Sequence, residues 1–535
     1  MKKIIIAMMA AVSLLNFSGC DSLDMEPVSS ISDANYWKSP DQFKAFNIGL
    51  HGLLRSQSSY NIFVLGEPRS DIYGDQPFGG EATQGVERFS YNTINAEFTG
   101  ISNFANFYTT LNQINLMIRR TNETDLLGEA EKNYYLGQAY GLRAYIYFHL
   151  LRSWGDVIIT TEPTLGSELD ISHLDKAASP ASEVMDLIKK DIDASEKAFG
   201  GDYSYKQGKC YWSKPATLML KGEVYLWSGR QMGGGTGDYT VAKTALQDLQ
   251  QNGNLKLQEK FTDVFSFNNK ENSEMIFALH SGKEDDFMMW RDYNWRNNMV
   301  PQREYMAGYC DETGTPFLEI PGYNLQGLMR YQVKKDHYLK SFREGDTRLK
   351  GTLKAVYKKH EDGTLEYIAP IQYKFQGTTL EGSNERSWYD DYPIYRYADA
   401  LLLLAEAKAL LGEDPSTEIN AVRERAYGSE YFNAHKNEVA YPNDKGSFYN
   451  DNPFEAGDEN VMEAILKERL REFFFEGKRW YDLRRFGKDY VLKYTTAQES
   501  RLLWPINEGA LTNNPALKQL SLIHISEPTR PRLIS

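Results

Sequence analysis

Cysteine is the scarcest informative residue in this 535-residue chain, present only as Cys20, Cys210 and Cys310. Three cysteines over such a length do not make a disulfide scaffold, and Cys210 and Cys310 can be read either as a pair or as two free thiols. They form no C-x-x-C and no Cys/His cluster of zinc-ligating spacing. The eight histidines include no H-E-x-x-H, and no G-x-S-x-G nucleophile elbow occurs. Positive charge is also in deficit: 60 Lys and Arg against 73 Asp and Glu leave a net charge of −13. A nucleic-acid partner is therefore not expected, and neither is a metal or a cofactor. Beyond the first residues no apolar run reaches the length of a membrane-spanning helix.

The exception at the N-terminus reads as an address. Lys2 and Lys3 precede an apolar run from Ile4 to Leu15, which ends in Ser18-Gly19-Cys20. Small residues directly before a cysteine here resemble the lipobox of bacterial lipoproteins, which implies cleavage after residue 19 and acylation of Cys20. A plain secretory signal with an incidental cysteine is the alternative.

What the chain has in quantity is aromatic and helical. Tyrosine occurs 35 times, which suits a protein that packs or binds through ring faces. Ser39-Pro40 opens a first helix. Phe104, Phe107, Leu111, Ile114 and Ile118 recur at helical spacing over 103–120, and a longer helix is expected over Glu129–Ser153, with Gly137 and Gly141 one turn apart for close approach to a neighbour. Ser179-Pro180 and Ser213-Pro215 open two more, and a further helix is expected over Thr240–Gln251. The run MGGGTGD before it (glycines 233, 234, 235 and 237) lacks a preceding strand and a following Gly-Lys-Ser/Thr, so it reads as a flexible connection and not as a phosphate loop. Ala398–Leu411, stopped by Gly412, and a helix restarting at Asp414-Pro415 form another hairpin. The densest stretch is Ile465–Gly487, where Leu466, Leu470, Phe473 and Phe474 make a buried stripe. Glu468, Arg469, Arg471, Glu472 and Glu476 sit there at pairing offsets. Gly477 is expected to stop that helix, and Arg479, Trp480, Asp482 and Arg485 begin the next. With no His, Cys or Ser among them, these charges are read as a structural ion-pair network in preference to a catalytic or anion site.

These stretches carry a resemblance. E-x-x-x-E-x-x-x-E-G-x-R-W-x-D-L-R-R at 468–485 is similar to the SusD/RagB family of outer-membrane nutrient-binding lipoproteins. So are the tail W-P-I-x-x-x-x-L-x-x-N-P-x-L-x-Q, L-R-A-Y-x-Y-F-x-L in the Glu129 helix, R-Y-A-D-A-L-L-L-L-A-E-A at 396–407, and Leu23, Pro27 and Tyr36-Trp37 near the start. The resemblance runs from Leu23 to Gln519. It implies a mostly α fold of scattered tetratricopeptide-like helix hairpins with a loop-rich insertion carrying a few short strands. The expected organisation is a signal peptide (1–19), an N-terminal helical half (20–253) and a C-terminal half (254–519) containing the insertion (254–394). Residues 520–535, LSLIHISEPTRPRLIS from Leu520 on, abandon the family pattern and read as a non-native tail. The function implied is a lipid-anchored protein on the outer-membrane surface that binds glycans and hands them to a SusC-like TonB-dependent transporter.

Within the insertion, MMWRDYNWRNN (288–298) crowds Trp290, Tyr293 and Trp295 among Asp292, Asn294, Arg296 and Asn297. Flat rings stack on the C–H faces of sugars while Arg and Asn bond to hydroxyls, so Trp290, Tyr293, Trp295 and Arg296 are the candidate ligand contacts. The bland reading is that the rings anchor a long loop. Trp388 is the weaker candidate and reads as core. Three rivals stand: a peptide-binding relative, a glycoside hydrolase, which needs two cleft carboxylates at a fixed separation, and a tetratricopeptide scaffold for protein partners. Catalysis is disfavoured, because the recognisable carboxylates sit beside arginines that hold them ionised.

Overall fold

The computed structural model describes residues 36–55, 59–74, 87–99, 104–165, 174–282, 299, 301, 303–320, 329, 331–382 and 386–520. Cys20 and the ring cluster at 290–296 lie outside the described residues, as do 521–535 of the tail.

The longer helices are α1 (Pro40–Leu53), α2 (Ser59–Gly66), α3 (Asn106–Glu123), α4 (Glu129–Trp154), α5 (Ala181–Phe199), α6 (Lys214–Gln231) and α7 (Gly235–Asn252), followed after the insertion by α8 (Tyr397–Leu410), α9 (Ser416–Tyr427), α10 (Val461–Phe473), α11 (Arg479–Phe486) and α12 (Lys488–Tyr494). Each packs on its sequence neighbour from α3 to α8, and α8, α9, α10 and α11 close the stack by packing back on one another and on α6. This is the expected helical-hairpin scaffold. Its starts are written in local chemistry: Ser39 caps α1 with Gln42 in a capping box and Pro40 at the first position, and Ser213 Oγ accepts from the Ala216 N–H at the start of α6.

Three sequence expectations shift. The helix expected over 103–120 runs Asn106–Glu123. The glycine run is no flexible linker, because α7 begins at Gly235 and only Met232–Gly234 separates it from α6. The turn Gly477 was expected to make begins earlier, since α10 ends at Phe473 and both Phe475 (φ 68°) and Gly477 (φ 70°) take the left-handed conformation. The cause lies far away in sequence: the Glu67 carboxylate accepts the N–H groups of Phe475 (2.8 Å) and Gly477 (2.7 Å) and so holds that turn. Gly66 backs against it, where a Cβ would stand 1.7 Å from the Gly477 carbonyl oxygen. Gly137 and Gly141 do permit close approach, but what fills the space is the rings of Phe199 and Trp212.

The insertion leaves the scaffold on β1 (Met275–Leu279) and returns on β6 (Tyr392–Arg396), which pair antiparallel with Leu279 opposite Tyr392. Between them β2 (Leu353–Lys359) pairs with β3 (Leu365–Gln372), and β4 (Thr378–Thr379) with β5 (Arg386–Ser387). Trp388 is buried, as expected of a core residue. So this neck, one strand out and one strand back, sets His280 beside Asp391.

Most charges of α10 and α11 are buried and paired. Glu472 meets Arg348 (3.2 Å), Arg396 (2.6 Å) and Arg425. Glu468 meets Arg348 (3.1 Å) and Arg423 (3.0 Å), and Glu476 meets Lys374 (2.6 Å) and Arg396 (2.8 Å). Arg479 is held by both oxygens of Asp71, at 2.8 and 2.6 Å. Burial alone would protonate Glu472, but Arg425, Arg396 and Arg348 outweigh it and hold the carboxyl well below the usual range. The network is scaffold, as the sequence indicated.

Candidate functional site

The largest opening among the described pockets is a cleft of about 530 Å³ at the neck of the insertion. One wall is α1, contributing Ile48, Gly49 and Gly52, with Arg55 just past its end. The second is the loop between α5 and α6, with Gln207, Cys210 and Tyr211. The third is β1 and its flanks, with Glu271 before it, Phe277 within it and His280 just after it. No two of these walls are near each other in sequence. The helix stack and the β1–β6 neck bring them together.

His51 joins the walls. Its Nδ1–H donates to the Asn47 carbonyl (2.9 Å) and its Nε2 accepts the Trp212 N–H (3.0 Å), so both ring nitrogens are committed and the imidazole is neutral. Burial pushes its pKa down to about 4. Its ring lies 4.8 Å from that of Tyr211, which is half-buried at the cleft. Opposite, Arg55 donates to the His280 carbonyl (3.3 Å), tying α1 to the end of β1. Glu271 is exposed and accepts the Lys209 N–H (3.0 Å). The lining is therefore apolar rings and aliphatics with a few polar groups around them, the usual make-up of a small-ligand site.

Behind the cleft lies a cluster that spacing could not reveal, because Cys210, His280 and Asp391 place donor atoms within 4.8 Å of one another. A metal reading fits poorly. Asp391 Oδ1 already accepts the Ser281 N–H (3.0 Å), contacts His280 Nδ1 (3.1 Å) and pairs with the Lys270 ammonium (3.1 Å), so a lysine holds the place a cation would take. Burial, with Asp391 and Glu271 nearby, pushes the Cys210 thiol well above its ordinary value and keeps it protonated. The arrangement is a polar clasp closing the neck. Cys210 and Cys310 are both free, which answers the question of their pairing.

The carboxylates marked in the sequence offer no acid/base pair. Glu406, Glu468, Glu472, Glu476 and Asp482 are buried and ion-paired. A second, interior void, lined by His149, Arg152, Glu223 and Tyr481 among others, has about 20 Å³, room for a single water.

The fold has close counterparts. The family profile described as "SusD family" matches residues 233–499, and one described as "Starch-binding associating with outer membrane" matches 49–226. A SusD-like protein P38 of Formosa agariphila is 27% identical over 97% of this chain and 98% of its own length. Among solved structures, B. fragilis NanU is 62% identical, with a TM-score of 0.88 over 92% of this chain and 99% of that one. A SusD superfamily protein from Bacteroides vulgatus is 58% identical, with a TM-score of 0.87 over 91% of this chain and all of that one. Identity at that level over 91–92% of the chain leaves one assignment: this chain belongs to the SusD family.

Proposed function

We propose that the protein is a lipid-anchored, surface-exposed outer-membrane protein that binds oligo- or polysaccharides and delivers them to a SusC-like TonB-dependent transporter, without turning them over. The observation that carries this reading is family membership over nearly the whole chain, with the N-terminal half matching a profile described as starch-binding and outer-membrane associated. Cys20 is the acylated residue in this reading. Trp290, Tyr293, Trp295 and Arg296 are the ligand contacts, since stacking of rings on sugar faces contributes on the order of 1 kcal/mol per ring beyond area burial. The acidic net charge of −13 suits a neutral glycan better than a polyanion.

The test is calorimetric titration of the wild type and Trp290→Ala with a panel of glycans and, in parallel, of peptides. Binding to a glycan that weakens several-fold to tenfold or more in Trp290→Ala, with the fold intact, is the expected outcome. Equal affinities would move the contacts elsewhere. Binding to peptides alone would replace the ligand class.

A further inference from the structure

We propose that the junction between the end of α2 and the turn after α10 is a proton-held latch: the Glu67 carboxyl keeps the turn closed while it carries a proton and draws water into it once that proton leaves. The device lies in the scaffold and does not depend on which ligand the protein takes.

Two buried carboxyl groups follow the end of α2, and they are served differently. Asp71 has the Arg479 guanidinium on both oxygens. Glu67 is just as buried, but its three hydrogen bonds all come from uncharged groups: the Phe475 N–H (2.8 Å) and the Tyr73 hydroxyl (2.8 Å) on Oε1, and the Gly477 N–H (2.7 Å) on Oε2. Among the described residues no lysine, arginine or histidine pairs with it. Lys374, whose charge reaches it, is committed to Glu476 (2.6 Å) and to the carbonyls of Glu472 (2.8 Å) and Phe474 (2.9 Å). A buried carboxylate without a counter-charge is unfavourable, and a proton removes the charge. The bonding pattern has a place for one. A proton on Oε1 is accepted by the Tyr73 oxygen once that hydroxyl turns, and both N–H groups of the turn still face an oxygen.

Burial pushes the Glu67 carboxyl from 4.5 up to about 7, against the opposing pull of Tyr73, the two N–H groups and Lys374. The closed junction therefore keeps a proton that a water-filled one releases between those values. Closure is favoured at low pH, loses that support as the pH rises through the window, and changes no further above it. The other groups facing Glu67 are Tyr73 and Tyr392, both pushed well above the ordinary phenol range by burial, Tyr331, whose ring lies 5.7 Å from that of Tyr73, Glu476, ion-paired with Lys374 and Arg396, and Lys374 itself, drawn down to about 8 by burial. What the latch holds is strained and connected. Phe475 stands at φ 68°, left-handed for a residue with a side chain. The same turn carries Glu476 and also Lys478, whose ammonium reaches Asp399 (2.8 Å) and the Ile394 carbonyl (2.8 Å). Loosening the turn thus slackens the seam where the insertion meets the scaffold.

The experiment is amide hydrogen exchange of the full protein, read over 474–478 and corrected for the intrinsic rate, from about pH 5 to about pH 7.5, below the range where Lys374 loses its proton. In the wild type the opening constant of these amides should rise by roughly tenfold or more and level off near the top of the range. Glu67→Gln, which cannot ionise, should show no rise. Asp390→Asn, which removes a different buried carboxyl raised to about 7, should keep the wild-type rise. Tyr73→Phe takes a donor from the charged form, which loses more than the neutral form does, so its opening constant should still be climbing where the wild type has levelled. That variant attributes the rise to Glu67 even where Glu67→Gln fails to fold. The inference is overturned if the wild-type opening constant is flat or falls with pH, if Glu67→Gln keeps the rise, if Asp390→Asn abolishes it, or if Tyr73→Phe leaves the levelling point unmoved.

Discussion

Arg479 shows how much a single side chain carries here. Its guanidinium is buried, and both of its bonds to a side chain go to Asp71. Arg479→Ala leaves that carboxylate buried without its counter-charge, a loss of about 3–5 kcal/mol, whereas Arg479→Met with Asp71→Leu should recover most of it. Chemical denaturation of the two variants beside the wild type reads this directly. Intact stability with abolished glycan binding would instead make the cluster a ligand site. Asp390 gives the opposite case. It is buried, its Oδ2 has no hydrogen-bond partner, and burial raises its pKa from 3.8 to about 7. Between those values the folded chain keeps a proton that the unfolded chain releases, so this residue's contribution to stability declines as pH rises from about 4 to about 7. Asp390→Asn removes the titration. It should stabilise the protein by about 3–4 kcal/mol more at pH 8 than at pH 4, because each tenfold difference in proton affinity between the folded and unfolded chain is worth about 1.4 kcal/mol. Equal effects at the two pH values would show that folding leaves the Asp390 pKa where it is in the unfolded chain.

At the scale of elements, the contact between the end of α2 and the turn after α10 is the tightest junction described, with no room for even a methyl group on Gly66. Gly66→Ala must push two backbones apart and is expected to cost about 1–3 kcal/mol or more, visible as a lower denaturation midpoint. An unmoved midpoint would mean that the junction yields without cost. This junction also marks where sequence reading stops. The helices were legible because periodicity, Ser-Pro starts and glycine stops are local signals, and α1, α4, α8, α10 and α11 fall within a few residues of expectation. The pairing of α10 charges was legible for the same reason. Their partners were not: Arg348, Arg425 and Asp71 come from segments whose own neighbours give no hint of Glu472 or Arg479. The cleft was illegible throughout, since Gly49, Tyr211 and Glu271 meet only through tertiary packing.

For the molecule as a whole, none of the helices among the described residues is long and apolar enough to cross a membrane, so membrane retention in the proposed function falls to Cys20. Replacing Cys20 with Ala should move the protein from the membrane fraction to the soluble one after cell fractionation, and retention in the membrane would remove the lipid anchor from the reading. The insertion, for its part, is not an appendage to the helical scaffold. Arg348 and Lys374 both come from it: Arg348, itself held by Asp346, pairs with Glu468 and Glu472 of α10, and Lys374 pairs with Glu476 in the turn that follows.

That wiring has a kinetic consequence. Repeat stacks of helix hairpins ordinarily assemble from neighbour to neighbour, which makes folding fast because each step closes a short loop. Here Arg348 reaches Glu472 across 124 positions, and Asp71 reaches Arg479 across 408. The last hairpin cannot bury its charges until segments from the first fifth and the middle of the chain have arrived, so the closing step pays a large loop-closure entropy before any contact rewards it. Folding is therefore expected to end in a single late, slow event that seals the ion network, with the N-terminal hairpins from α3 to α7 already formed and protected from hydrogen exchange well before it.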